Sequence, residues 1–255
     1  MYQRIVGDRK LADEHWTCTH IDDFHWHLKL LEHFGYTPVT FNDYRLFLED
    51  ELIPPKKPII ITFDDGYYDN YKLAFPLLQE YGMKAVFFVL GDRSIKSNYW
   101  DPKDGVASTP LMSDQHILEL DAAGIEIGSN TMTHPKLTML DESEQRHEIF
   151  DSKSAIEHLL GKPVYSFSYP YGLHDECSQK FVAEAGYMFA CSVFTGPATF
   201  GVQPLDIRRI TISHNMKMVG FGMRVITPYE YFDWIRGKVK TTVYESIATV
   251  KSVVM

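Results

Sequence analysis

Phe63-Asp64-Asp65-Gly66 places two carboxylates side by side behind the apolar run Pro58-Ile59-Ile60-Ile61-Thr62-Phe63. Adjacent carboxylates at a strand's end can divide labour: one binds a divalent cation, the other takes a proton from water. Gly66 permits a tight turn beside a ligand. An acidic turn or helix cap before Tyr67 would use the same residues. Ser129-Asn130-Thr131-Met132-Thr133-His134-Pro135 follows a second apolar run, Ile125-Glu126-Ile127. His134 offers an imidazole to a metal and Asn130 an amide oxygen, although a capped surface histidine would look the same. Tyr169-Pro170-Tyr171-Gly172 follows Val164 to Ser168 and could aim the Tyr171 N–H at a developing oxyanion, or be an ordinary turn. In Asp206-Ile207-Arg208-Arg209-Ile210, one arginine could reach inward and orient a carboxylate, or both could lie on a surface strand. His214 stands beyond that run.

These segments need a scaffold that brings their ends together. Five times an amphipathic helical stretch ends near a glycine (Gly35, Gly82, Gly124, Gly161, Gly186) and a short apolar or β-branched run follows. Glycine caps a helix in the left-handed conformation, and the chain then turns into a strand. Such units in series predict parallel strands with helical crossovers. Asp141 with Glu144 forms a capping-box pattern, Ser113-Asp114 precedes another helix, and Thr227-Pro228 starts one over Tyr229 to Ile235. Pro76 is expected to interrupt the helix after Asp69. Asp92 to Pro110 shows no period and reads as a long binding loop, with Tyr99 and Trp100 inside it. Lys238 to Met255 could be a final helix. In an α/β barrel of parallel strands, the C-terminal strand ends share one face, where active sites sit. Three of the candidate motifs follow strands, and the Asp206 to Ile210 run is read as a late strand itself.

The bulk numbers set limits. The chain has 255 residues, 45% hydrophobic and 23% charged, with no domain boundary in view, so residues 1–255 are read as one domain. A net charge of -9 and the lack of a basic cluster exclude a duplex-binding footprint. Cys18, Cys177 and Cys191 are few and scattered, as reduced thiols are. No run approaches the roughly 18 apolar residues of a membrane span, and no signal peptide is visible, so a cytoplasmic protein is expected.

Taken together, Ile61-Thr62-Phe63-Asp64-Asp65-Gly66-Tyr67, Gly128-Ser129-Asn130-Thr131-Met132-Thr133-His134-Pro135-Lys136-Leu137 and Tyr169-Pro170-Tyr171-Gly172 resemble the polysaccharide deacetylases of carbohydrate esterase family four. The likeness covers most of Ile5 to Ile212, and its N-terminal pattern is nearest the biofilm poly-N-acetylglucosamine deacetylase branch. The resemblance implies a distorted (β/α) barrel, an α/β fold with about seven parallel strands. It makes Asp64 the general base, with Asp65, Asn130 and His134 at one divalent metal ion, zinc or similar. Tyr171 N–H would hold the oxyanion. Arg209 and His214 are the further catalytic candidates, and Pro170 and Trp100 the substrate-binding ones. The substrate is a carbohydrate: an acetamido sugar of a cell-surface glycan or its cytoplasmic precursor, of O-antigen or capsule type.

The chain departs from the family pattern twice. Asn130 stands where the family has a histidine, which lowers zinc affinity or favours a harder ion. Tyr2-Gln3 stands where the biofilm branch has Tyr-His, and Gln3 has no proton to give as an acid. His214 or His20 could replace it. Two other functions therefore stand beside a metal-dependent N-deacetylase: a metal-free hydrolase of C–N bonds and a catalytically impaired glycan-binding protein.

Overall fold

The computed structural model describes residues 1–100, 108–193, 202–214 and 216–226. It opens with β1 (Arg4–Val6), α1 (Arg9–Glu14), β2 (Cys18–His20), α2 (Ile21–His33), β3 (Thr37–Pro38) and α3 (Phe41–Leu48). Strands and helices then alternate: β4 (Pro58–Ile59), β5 (Thr62–Phe63), α4 (Phe75–Glu80), β6 (Val86–Val89), α5 (Asp114–Ala122), β7 (Glu126–Ser129), α6 (Glu142–Leu160), β8 (Ser166–Ser168), α7 (Glu176–Glu184) and β9 (Phe189–Cys191). The last described helix is α8 (Met218–Ile226). Local chemistry accounts for many boundaries. Gly161 ends α6 at φ 67, and the Asp141–Glu144 capping box starts it. Before α4 the chain makes a π-turn over Asn70–Ala74, and Pro76 falls in the first turn of α4. The two helices expected after Ile226 lie outside the described residues.

The central sheet is parallel throughout, in the order β5-β6-β7-β8-β9. Its hydrogen bonding continues beyond both edges. Ile207 bridges Cys191 at the β9 side, and Tyr2 bridges Phe63 at the β5 side. Ile212 N–H donates to Met1 O at 2.9 Å, which joins those two extensions. The result is a distorted α/β barrel. Its continuous sheet has 5 strands, fewer than expected, because the late and first segments are held by bridges and not by full ladders.

The apolar run 58–63 also differs from its sequence reading. It is two short strands with different neighbours: β4 pairs with β3, and β5 with β6. Only Ile61 to Phe63 are buried, while Pro58 is exposed. Phe63 anchors the core, stacked on Phe87 at 4.5 Å between centroids and on Tyr2 at 5.4 Å. Each such aromatic pair contributes about 0.5–1.5 kcal/mol beyond area burial. Phe24, Leu28, Ile117, Leu120, Ile149 and Phe167 complete the layer between sheet and helices.

Candidate active site

Because the sheet strands are parallel, their C-terminal ends gather at one face. β5 delivers Asp64 and Asp65, β7 delivers Asn130 and the loop to His134, and β8 delivers Ser168 and the turn at Tyr171. Arg209 arrives from the segment bridged to β9. Residues far apart in sequence thus become neighbours.

Asp64 is held as half of an ion pair. Arg209 Nη1 donates to its Oδ1 at 2.7 Å and Nη2 to its Oδ2 at 2.8 Å. Ser168 Oγ adds a longer bond at 3.3 Å and itself accepts from Arg209 Nη2 at 3.0 Å. Arg209 Nε donates to Ser192 O at 3.0 Å, which fixes the plane of the fork. Both partners are buried. Burial works against the Arg209 charge, yet the Asp64 carboxylate outweighs it and raises the guanidinium pKa. Arg209 is therefore the arginine that turns inward. Arg208 sits 3.9 Å from Asp206.

Asp65 is surrounded by an imidazole and two amides. Its Oδ1 lies 3.1 Å from His134 Nε2 and accepts from Asn130 Nδ2 at 2.8 Å. Its Oδ2 accepts from Gln3 Nε2 at 2.6 Å. Burial alone would raise its pKa. The imidazole and the bonds from His134, Gln3 and Asn130 win, so the carboxyl titrates below its ordinary value of 3.8. Four non-glycine residues here have positive φ: Asp65 (68), Thr131 (65), His134 (67) and Tyr171 (59). Each such conformation costs on the order of 1–3 kcal/mol and persists only where surroundings enforce it. Gly172 (φ 70) could carry no side chain, since a Cβ there would lie 2.7 Å from Val193 N.

Aromatic rings wall the His134 side. Trp100 stacks on the imidazole at 4.4 Å, and Tyr171 lies 4.9 Å from it. Tyr99 packs edge-on to Trp100 and donates from its hydroxyl to Thr133 O. Tyr99 is 55% and Tyr171 38% exposed, so these rings present the open apolar surface. Pro170, expected at the substrate, is buried inside its turn and offers no such surface. His214 is not a hydrogen-bond partner of either aspartate; its N–H donates to Trp16 O at 3.2 Å, and its Nδ1 is buried without a partner. His20 caps α2 and bonds Gly7 O at 3.1 Å.

Sequence reasoning missed three supports. Gln3 has no proton to give as an acid, yet its amide holds Asp65. Ser168 ends the buried β8 immediately before the Tyr169-Pro170 turn, a position that could have flagged it. Glu148 lies on the buried stripe of α6 with Gln145, Ile149, Ser152 and Ile156. A charged residue in such a stripe is itself a signal.

The donor set can be tested for a metal ion. No group of three or more His, Cys, Asp or Glu among the described residues could hold one. What remains is one carboxylate, one imidazole and one amide. Asn130 Oδ1 is buried without a partner, and a half-turn of the amide exchanges it with Nδ2. Asn130 and His134 atoms then stand 2.8 and 3.1 Å from Asp65 Oδ1. Ligands about 2.0–2.2 Å from a small divalent ion lie roughly that far from one another. The residues fit one such ion, with fewer charged or nitrogen donors than a zinc site usually has.

Comparison with known proteins agrees with the geometry. Residues 52–190 match the family model for polysaccharide deacetylase. A Bacillus subtilis protein assigned to the polysaccharide deacetylases, YxkH, is 31% identical over 200 residues, 78% of this chain and 67% of the relative. The poly-beta-1,6-N-acetyl-D-glucosamine N-deacetylase of Escherichia coli K12 is 24% identical over 229 residues, 77% of this chain but 34% of that protein. The Streptococcus pyogenes deacetylase PplD, solved with acetate, superposes with a TM-score of 0.73 over 86% of this chain and 93% of its own, at 24% identity. On the family match and the YxkH identity, the chain belongs to the polysaccharide deacetylases, hydrolases that act on carbon–nitrogen bonds.

Proposed function

We propose that the protein removes an N-acetyl group from an amino sugar of a cell-surface glycan or its precursor, of O-antigen or capsule type. The observation that carries this reading is the pair of neighbouring buried carboxylates in opposite settings: Asp64 locked to a guanidinium, Asp65 shared among an imidazole and two amides. That asymmetry supports a base and a ligand at adjacent positions. Asp65 and His134, with Asn130 through its oxygen, would hold one divalent ion. When bound, such an ion polarises the acetamide carbonyl and acidifies a water.

The chain's own groups do the rest. Asp64 takes a proton from the attacking water, and Arg209 and Ser168 keep its oxygens in place for that transfer. Water oxygen bonds to the carbonyl carbon, and the turn that sets Tyr171 at φ 59 presents its N–H to the resulting oxyanion. The C–N bond then breaks, and the proton held by Asp64 passes to the leaving nitrogen. Acetate and a free amino sugar result. Tyr99 and Tyr171 supply the apolar faces on which a pyranose ring stacks. The three free cysteines support a reducing compartment, and no helix among the described residues is long and apolar enough to cross a membrane.

A second reading, a metal-free hydrolase of another C–N bond, has one observation in its favour: Asp65 is already satisfied by Gln3, Asn130 and His134. One experiment separates the two. Acetate release from a panel of acetamido sugars is measured after chelation, with divalent ions returned singly. Loss on chelation and recovery with metal are expected. Turnover indifferent to chelator moves the protein to the second reading, and no acetate with any ion ends the first.

A further inference from the structure

We infer that Glu148 is a positioning residue, a clamp on α6 that sets His134 at Asp65. Glu148 is 7% exposed, and its carboxylate forms no ion pair among the described residues. Both its oxygens serve one residue: Thr133 N–H donates to Oε2 at 2.8 Å, and Thr133 Oγ to Oε1 at 2.6 Å. Its main-chain oxygen accepts from Met132 N–H at 3.1 Å. A single helical residue thus grips the two positions that precede His134.

The loop requires such a grip. Thr131 and His134 both have positive φ, a conformation that side-chain-bearing residues leave unless held. Thr131 Oγ accepts from His134 N–H at 3.0 Å, but that bond lies within the loop and cannot fix it to the barrel. On the β6 side, Gly91 and Asp92 N–H groups bond Thr131 O and Met132 O. Glu148 supplies the anchor on the helix side. One helical turn on, Ser152 accepts from Ser129 Oγ at 2.9 Å, so α6 touches both ends of the segment from β7. A buried carboxylate bonded only to neutral donors is expensive. Loop geometry explains why one is kept here.

The inference rests on the proposed deacetylation for its catalytic consequence, but the clamp can be read without turnover. Amide hydrogen exchange at Thr133 and His134, zinc affinity by calorimetry, and kcat and KM for acetate release are compared in the full chain, Glu148→Ala, Glu148→Gln and Thr133→Val. Glutamine can still accept from the Thr133 N–H while donating to its hydroxyl. Glu148→Ala should speed exchange at both amides about ten- to a hundredfold, the loss expected for a bond to a charged acceptor. Its kcat should fall about ten- to a hundredfold with KM unchanged, as displacement of a reacting group by about 1 Å does. Glu148→Gln should restore exchange and kcat to within about threefold of the parent, and Thr133→Val should fall between the two. Unchanged exchange and zinc affinity in Glu148→Ala overturn the inference. So does a Glu148→Gln protein as impaired as the alanine variant, because charge and not geometry would then matter. If Glu148→Ala does not fold, Glu148→Gln and Thr133→Val decide. A parent chain that releases no acetate removes the proposed reaction, while the exchange data still judge the clamp.

Discussion

Asp64 and Asp65 share a peptide bond, but they live in different electrostatic surroundings. Asp64 faces a guanidinium that arrives 145 positions later in the chain, in a planar two-point contact with no freedom left. Asp65 faces three neutral or titratable donors, one of which brings a buried oxygen with no partner. The first arrangement cancels a charge. The second leaves a charge in place and spreads it over groups that can exchange partners. A carboxylate that must accept and release a proton benefits from fixed orientation, whereas one that must share a cation benefits from neighbours able to turn.

The sharpest way to break this contrast is Asp64→Asn. Acetate release should drop about 10²- to 10⁴-fold, the usual contribution of a general base. Retained turnover would move the base role elsewhere. Next comes Arg209→Met, which strands the buried Asp64 charge. Denaturant melts at neutral pH should show a loss of about 3–5 kcal/mol, as for other broken buried pairs. A smaller loss would mean that water reaches Asp64.

On the other side, Gln3→Leu removes one bond to a charged acceptor and should cost about 1.5–3 kcal/mol. Its pH dependence is diagnostic. The Asp65 pKa is lowered in the folded protein, so its contribution is present above 3.8 and is lost as pH falls through the folded value. In chelator-treated protein, the difference between parent and Gln3→Leu should shrink as the melt is moved from neutral pH to below that range; a constant difference would refute the linkage. The smallest change tests the turnable amide: Asn130→His should tighten zinc about tenfold or more in calorimetry, because imidazole is the better donor to that ion.

Much of this was readable beforehand because it is local. The five helix-ending glycines all take positive φ, and the caps at Ser113 and Asp141 form as their residue types require. The strand ends behind Asp64, Asn130 and Tyr171 followed from the apolar runs before them. Partner choice was not readable, because it is settled across the fold. Nothing within 58–63 says that its first half pairs with β3 and its second with β6. Gln3 meets Asp65 across 62 positions, and its failure as an acid concealed its use as a donor. Arg208 and Arg209 are equivalent in sequence; the bridge at Ile207 decides which one faces inward.

The Asp64–Arg209 pair also bears on how the molecule is made. During synthesis Asp64 leaves the ribosome long before its guanidinium exists. Until residue 209 has been added and the late segment lies against β9, a dry interior around Asp64 would enclose a lone negative charge, which water opposes. Sealing of the barrel around Asp64 therefore waits for the segment that carries Arg209, and such long-range closure slows folding. A fragment that stops before residue 209 therefore carries Asp64 without the guanidinium that balances its charge in the folded protein.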